Sequence, residues 1–115
     1  MEAVDIRAHA RYIQISAQKV RLVVDQVRGK GVLEALSILK FTPNRAAAPV
    51  SKVIASAMAN AEENFGVSRD DLYIHRIFAD EAPTRRWRRF GARGRFKPIL
   101  KRASHITVVL REREY

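Results

Sequence analysis

The chain has 115 residues, with 22 Lys and Arg against 12 Asp and Glu, a net charge of +10 and 47% hydrophobic residues. That length suits one domain with one apolar core, and that charge favours a polyanionic partner over an acidic-surfaced small-molecule enzyme. The absence of cysteine excludes a disulfide scaffold, a thiolate zinc site and a cysteine nucleophile. No apolar run is long enough for a transmembrane helix, and Glu2 and Asp5 stand where a secretory signal would need an apolar block.

In chain order, Val4, Ile6, Ala8 and Ala10 alternate with Asp5, Arg7, His9 and Arg11, the period of a half-buried strand. Tyr12, Ile13 and Ile15 break that period, so the register is expected to fail there. Arg7, His9 and Arg11 share the exposed face. Ser16 is placed to cap a first helix through its side chain. Val20, Val23, Val24 and Val27 recur at helical spacing, with Leu22 widening the stripe. Gly29 and Gly31 stop it. Val32 to Phe41 reads as a second helix with Val32, Leu36 and Leu39 on one side. Asn44 can cap a third helix that runs from Arg45 or Pro49 to Phe65, with Pro49 either opening or kinking it. Gly66 fits a left-handed terminus. Leu72, Ile74 and Phe78 then alternate with Tyr73, His75 and Ile77 in a second strand ending near Ala82, and residues 104–111, SHITVVLR, form a third. One core is expected from Val20, Val24, Leu36, Val53, Ile54, Ala57, Phe78, Ile106 and Val108. The class is α+β: a three-stranded antiparallel sheet packed against three helices.

Residues 83–102 hold nine of the cations and no acid, leaving 13 basic and 12 acidic residues elsewhere. The cations are Arg85, Arg86, Arg88, Arg89, Arg93, Arg95, Lys97, Lys101 and Arg102. Trp87, Phe90, Phe96, Ile99 and Leu100 interrupt the run, so stacking surfaces stand beside phosphate-binding charge. Gly91 and Gly94 near the midpoint permit a tight reversal. With the strands on either side, the segment reads as a long protruding β-hairpin. A strand from Leu72 to Phe90 would extend ~60 Å at ~3.3 Å per residue, against a radius of gyration of ~13 Å for a compact body of this length. An isolated two-stranded arm is marginal in water, so a partner is expected to hold it. A second basic patch is expected from His9, Arg11, Lys19 and Arg21 at the start of the first helix.

Enzyme motifs are missing. Gly91 to Gly94 lacks the spacing and the following helix of a phosphate loop. His9, His75 and His105 fall on separate strands, which gives no metal motif. The carboxylate pairs Glu62–Glu63, Asp70–Asp71 and Asp80–Glu81 lie at element ends with no sign of a pocket. No catalytic residue, metal or cofactor is expected. Three readings remain open from the residues alone: a ribosomal protein, an RNA-binding factor acting outside the ribosome, and a DNA-binding architectural protein with a basic arm.

Several segments together decide among them. ISAQKVRLVVDQVRGK at 15–30, ASAMANAEEN at 55–64, FADEAP at 78–83 and ILKRASHITVV at 99–109 resemble the bacterial-type large-subunit ribosomal protein number twenty-two family over nearly the whole chain, in order and in spacing. The resemblance implies one ribosomal RNA-binding domain over residues 1–115, with residues 83–102 the distal part of its hairpin. It implies a cytoplasmic structural constituent of the large ribosomal subunit, monomeric there and not inserted in a membrane. Its partners would be large-subunit ribosomal RNA, neighbouring ribosomal proteins and, transiently, the nascent chain. It implies a role in early subunit assembly and a hairpin tip that lines the nascent-polypeptide exit tunnel. Carried onto this chain, the tip is Arg88 to Arg95, with Phe90, Gly91, Ala92 and Gly94 as its non-basic residues and Trp87 beside it as a further tunnel-tip residue. Phe90 stands where the family often has proline, Gly91 where it often has a basic residue, and Trp87 is bulkier than usual.

Overall fold

The computed structural model describes residues 4–83, 85–90 and 96–113, with 85–90 and 96–101 described by their backbone. The elements are β1 (Ile6–Ile13), α1 (Ala17–Val27), α2 (Val32–Lys40), α3 (Ala47–Phe65), a short 3-10 turn (Arg69–Asp71), β2 (Leu72–Glu81), β3 (Arg85–Phe90), β4 (Phe96–Lys101) and β5 (Ser104–Glu112). β1, β5 and β2 form an antiparallel sheet in that order, and β3 pairs with β4. The class is α+β, as the periodicities require.

The helices cover one face of the sheet. α1 buries Val20, Val23, Val24 and Val27, α2 buries Val32, Ala35 and Leu39, and α3 buries Val50, Val53, Ile54, Ala57 and Ala61. They meet Ile6, Ala8, Ile74, Ile77, Ile106, Val108 and Leu110 of the sheet in one core. The alanines of α3 let its backbone come close to α2 and the sheet. Leu22 lies outside this core at 61% exposure: a stripe wide enough to include it would need a neighbour on that flank. Leu36 is half-buried, because Ala35 takes the innermost position of α2.

The helix ends follow backbone chemistry. Ser16 occupies the N-cap position of α1 with extended dihedrals, but its side chain makes no capping hydrogen bond. Asn44 turns the chain into α3, its Oδ1 accepting from the Ala46 amide at 2.9 Å and its carbonyl accepting from Ala47 at 3.0 Å. Pro49 falls in the first turn of α3, where its missing amide breaks no helical hydrogen bond, so it opens the helix without a kink at its centre. Gly66 ends α3 at φ +63°, a conformation that a side chain would strain.

Two bulges set the sheet's register. On β1, Ala10 pairs with Ile106 and Ile13 with Ser104, which leaves an extra residue on β1. Tyr12 absorbs it at φ +55°, so the register fails where the alternation does. On β2 the pairing shifts between Ile74 and Arg76. Ile77 and Ala79 therefore turn to the core and Phe78 becomes half-buried. A strict period of two puts Phe78 inside and Ile77 outside; the extra residue inverts them, because one step of register exchanges the faces.

At its far end the β2–β5 ladder runs into the arm. Glu81 pairs with Ser104, the Ala82 amide donates to the Ala103 carbonyl at 3.0 Å, and β3 and β4 then pair from Arg85–Lys101 to Phe90–Phe96. The radius of gyration is 17.4 Å and the long axis 67 Å, well beyond a compact body of this length.

Candidate nucleic-acid interface

Three basic regions emerge, and the register decides their composition. The first is the arm. Its paired strands carry Arg85, Arg86, Arg88, Arg89, Lys97 and Lys101, with Arg102 exposed at the base. The register sets Trp87 opposite Ile99 and Phe90 opposite Phe96. Trp87 and Phe90 thus both occupy paired backbone positions of the ribbon. Pro98, which has no amide to donate, is tolerated in a two-stranded ribbon because each strand has a free edge. Gly91, Ala92, Arg93, Gly94 and Arg95 lie outside the described residues.

The second region is the edge of β2. The Arg21 guanidinium donates to the Ala79 carbonyl through Nε at 3.1 Å and a terminal nitrogen at 3.0 Å, and Arg28 donates to the Ile77 carbonyl at 3.0 Å while meeting Asp25 at 2.5 Å. Two turns of α1 thus separate two guanidiniums that satisfy alternate carbonyls of an edge strand. The Gly29 amide donates to the Ile74 carbonyl at 3.2 Å, and the Ile74 amide donates to the Lys30 carbonyl at 2.9 Å. An edge left bare would be a template for another strand; here α1 and the loop after it cover it. Sequence reasoning missed this role of Arg21 and Arg28, because nothing along the chain signals which carbonyls a helix will lie beside.

The third region is the sheet face opposite the helices. Cross-strand partners share a face, so the register defines four rows: Tyr73 and Arg111; Arg76, Val109 and Arg7; Phe78, Thr107 and His9; Asp80 and His105. Asp5 holds Arg111 at 2.5 Å. The Arg111 guanidinium lowers the Asp5 carboxyl below its ordinary range, and the carboxylate in turn raises Arg111. His9 Nδ1 lies 3.1 Å from Thr107 Oγ1. His105 Nδ1 accepts from the Tyr12 amide at 3.0 Å, and the two rings meet edge to face at 4.7 Å. In the neutral ring that bond leaves the proton on Nε2. Tyr73 meets His75 edge to face, and the Arg76 guanidinium sits 6.0 Å from the Phe78 ring centre.

The four residues expected to make one patch are therefore divided. His9 and Arg11 belong to the open sheet face, where both line a cleft with Tyr12, Asp80, His105 and Thr107. Lys19 and Arg21 belong to α1 on the helical side, with Lys19 exposed. Among the described residues no cluster of His, Asp and Glu could hold a metal ion.

Fold and surface define a small α+β body of nearly balanced charge with a projecting basic β-arm. Residues 8–111 match the model of the family described as ribosomal protein L22p/L17e, and the chain belongs to that family. It is similar to proteins named large ribosomal subunit protein uL22: 53% identical over 110 residues to that of Thermoanaerobacter pseudethanolicus (96% of this chain, 99% of the relative), 52% over 108 to that of Pediococcus pentosaceus (94% and 92%), and 50% over 109 to that of Finegoldia magna (94% and 96%). Membership makes it a structural ribosomal protein and not an enzyme.

Proposed function

We propose that this chain acts in the cytoplasm as a single-domain constituent of the large ribosomal subunit. It binds ribosomal RNA and supports early subunit assembly, and the tip of its arm lines the nascent-polypeptide exit tunnel, where it meets the nascent chain transiently. Neighbouring ribosomal proteins complete its surroundings. No helix among the described residues is long and apolar enough to cross a membrane.

The observation that carries this reading is the concentration of charge on a projecting ribbon. Residues 83–102 hold nine cations and no acid, and the pairing of 85–90 with 96–101 sets six of them on a ribbon beyond a body of nearly balanced charge. A ribbon of that kind can pass between RNA segments and meet phosphates along both strands. RNA's deep major groove denies side chains a base-edge code there, so the arm recognises backbone and shape. Affinity for large-subunit RNA should fall steeply with salt, with a log–log slope of roughly −4 to −5 if about six phosphates are met. A slope near zero removes the electrostatic account. Co-sedimentation with mature large subunits through moderate salt separates a resident protein from an assembly factor, which would be absent from finished particles.

A further inference from the structure

The charged arm does not account for the open face of the sheet. That face presents Tyr12, Tyr73, Phe78 and three histidines, His9, His75 and His105, among the guanidiniums of Arg7, Arg11, Arg76 and Arg111. Two acids, Asp5 and Asp80, share it, and Asp5 is engaged by Arg111. A face that only repelled other proteins would need the charges and not the rings. A face that only bound phosphate would not set a carboxylate, Asp80, directly across from His105.

We propose that this face is a stacking platform for unpaired bases of the same RNA, and that the cleft bounded by His9, Arg11, Tyr12, Asp80, His105 and Thr107 takes a guanine. The inference rests on the RNA-binding reading above and adds a second contact surface to it. Rings on a basic sheet offer π faces to splayed bases beside charge for their phosphates. The cleft has a volume of about 320 Å³, ample for one base. Its walls have a donor and an acceptor side. His105, with Nδ1 committed to the Tyr12 amide, offers Nε2–H. Asp80 offers two acceptor oxygens, and guanine presents two adjacent donors, N1–H and the N2 amino group, on one edge. The sugar-phosphate then falls toward Arg11 and His9 at the rim.

The test uses the full chain. Ultraviolet cross-linking to large-subunit ribosomal RNA, with the linked peptides mapped, should give links at Tyr12, Tyr73 or Phe78 as well as within residues 83–102. Links confined to 83–102 overturn the platform and leave the RNA-binding reading standing; failure to retain the RNA at all overturns both. For the cleft, guanosine 5′-monophosphate titrated into labelled protein should shift the His9, His105 and Thr107 resonances more than the adenosine, cytidine or uridine monophosphates do. Asp80→Asn, at an exposed position, should fold normally and weaken the guanosine response about tenfold, toward that of the other three. Equal responses to all four, or the same shifts from inorganic phosphate, overturn the guanine assignment.

Discussion

In the body, Val20, Val24, Ile54, Ile106 and Val108 are sealed between three helices and a sheet, and outside residues 83–102 the 13 cations nearly balance the 12 acids. In the arm, residues 83–102 hold nine cations and no acid, six of them on the paired strands of a two-stranded ribbon that forms a separate sheet. The two regions adjoin where the Ala82 amide bonds the Ala103 carbonyl, between the Glu81–Ser104 and Arg85–Lys101 pairs, yet they answer to different forces. Burial of apolar area holds the body. The arm, whose charges repel one another, gains most when phosphates neutralise them. A change in either region should therefore appear in one measurement and be nearly silent in the other.

The largest expected effect lies in the body. Ile54→Ala removes a fully buried side chain from α3 and should cost ~2 to 5 kcal/mol in denaturant unfolding, with the salt slope of RNA binding unchanged. A loss below about half a kcal/mol would show that this helix face is not packed as described.

A smaller loss is expected at the covered edge. Replacing Arg21 and Arg28 together by methionine keeps much of their apolar bulk and strips the donors from the Ala79 and Ile77 carbonyls. Water can take over part of that bonding, so about 1 to 2 kcal/mol is expected, together with stronger self-association as the β2 edge is bared. If unfolding is unchanged but RNA binding weakens, these arginines serve the RNA and not the edge.

The Asp5–Arg111 pair gives a pH signature. Arg111 holds the Asp5 carboxyl below its ordinary value, so the pair's contribution is present above the unfolded carboxylate pKa and fades as the pH falls through that range toward the folded one. Asp5→Asn should be less stable than the parent at neutral pH, with the gap closing in acid. A gap that persists undiminished at low pH would assign the loss to something other than the charge.

The least effect is expected at Ser104, fully buried where β5 meets the arm, with an Oγ that has no hydrogen-bond partner among the described residues. Ser104→Ala should leave stability unchanged or raise it by up to ~1 kcal/mol. A loss above that would mean the hydroxyl has a partner.

The same division marks what could be read along the chain. Local chemistry was legible: the valine stripe of α1, the left-handed Gly66 and the turn at Asn44 each depend on a few neighbouring residues, as does the concentration of charge that marks the arm. What depends on pairing across strands was not. Phe78 and Ile77 exchange faces because of one extra residue near His75, and an alternating pattern read along β2 cannot count it. His9 and Arg11 part from Lys19 and Arg21 because a sheet and a helix turn them to different sides. Tyr73, Phe78 and His105 come together only through the register with β5. The guanidiniums of Arg21 and Arg28 find carbonyls that only the tertiary fold brings near.

The division of labour between body and arm is tested most directly by replacing Arg86, Arg88, Lys97 and Lys101 with glutamine and measuring RNA binding against salt alongside unfolding. The expected result is a log–log slope flattened by about 0.7 to 0.9 for each phosphate that the variant no longer neutralises, with the denaturant midpoint of the body unmoved. A slope equal to the parent's would contradict the claim that the arm carries the electrostatic attraction to RNA, and a lowered midpoint would contradict its independence from the core.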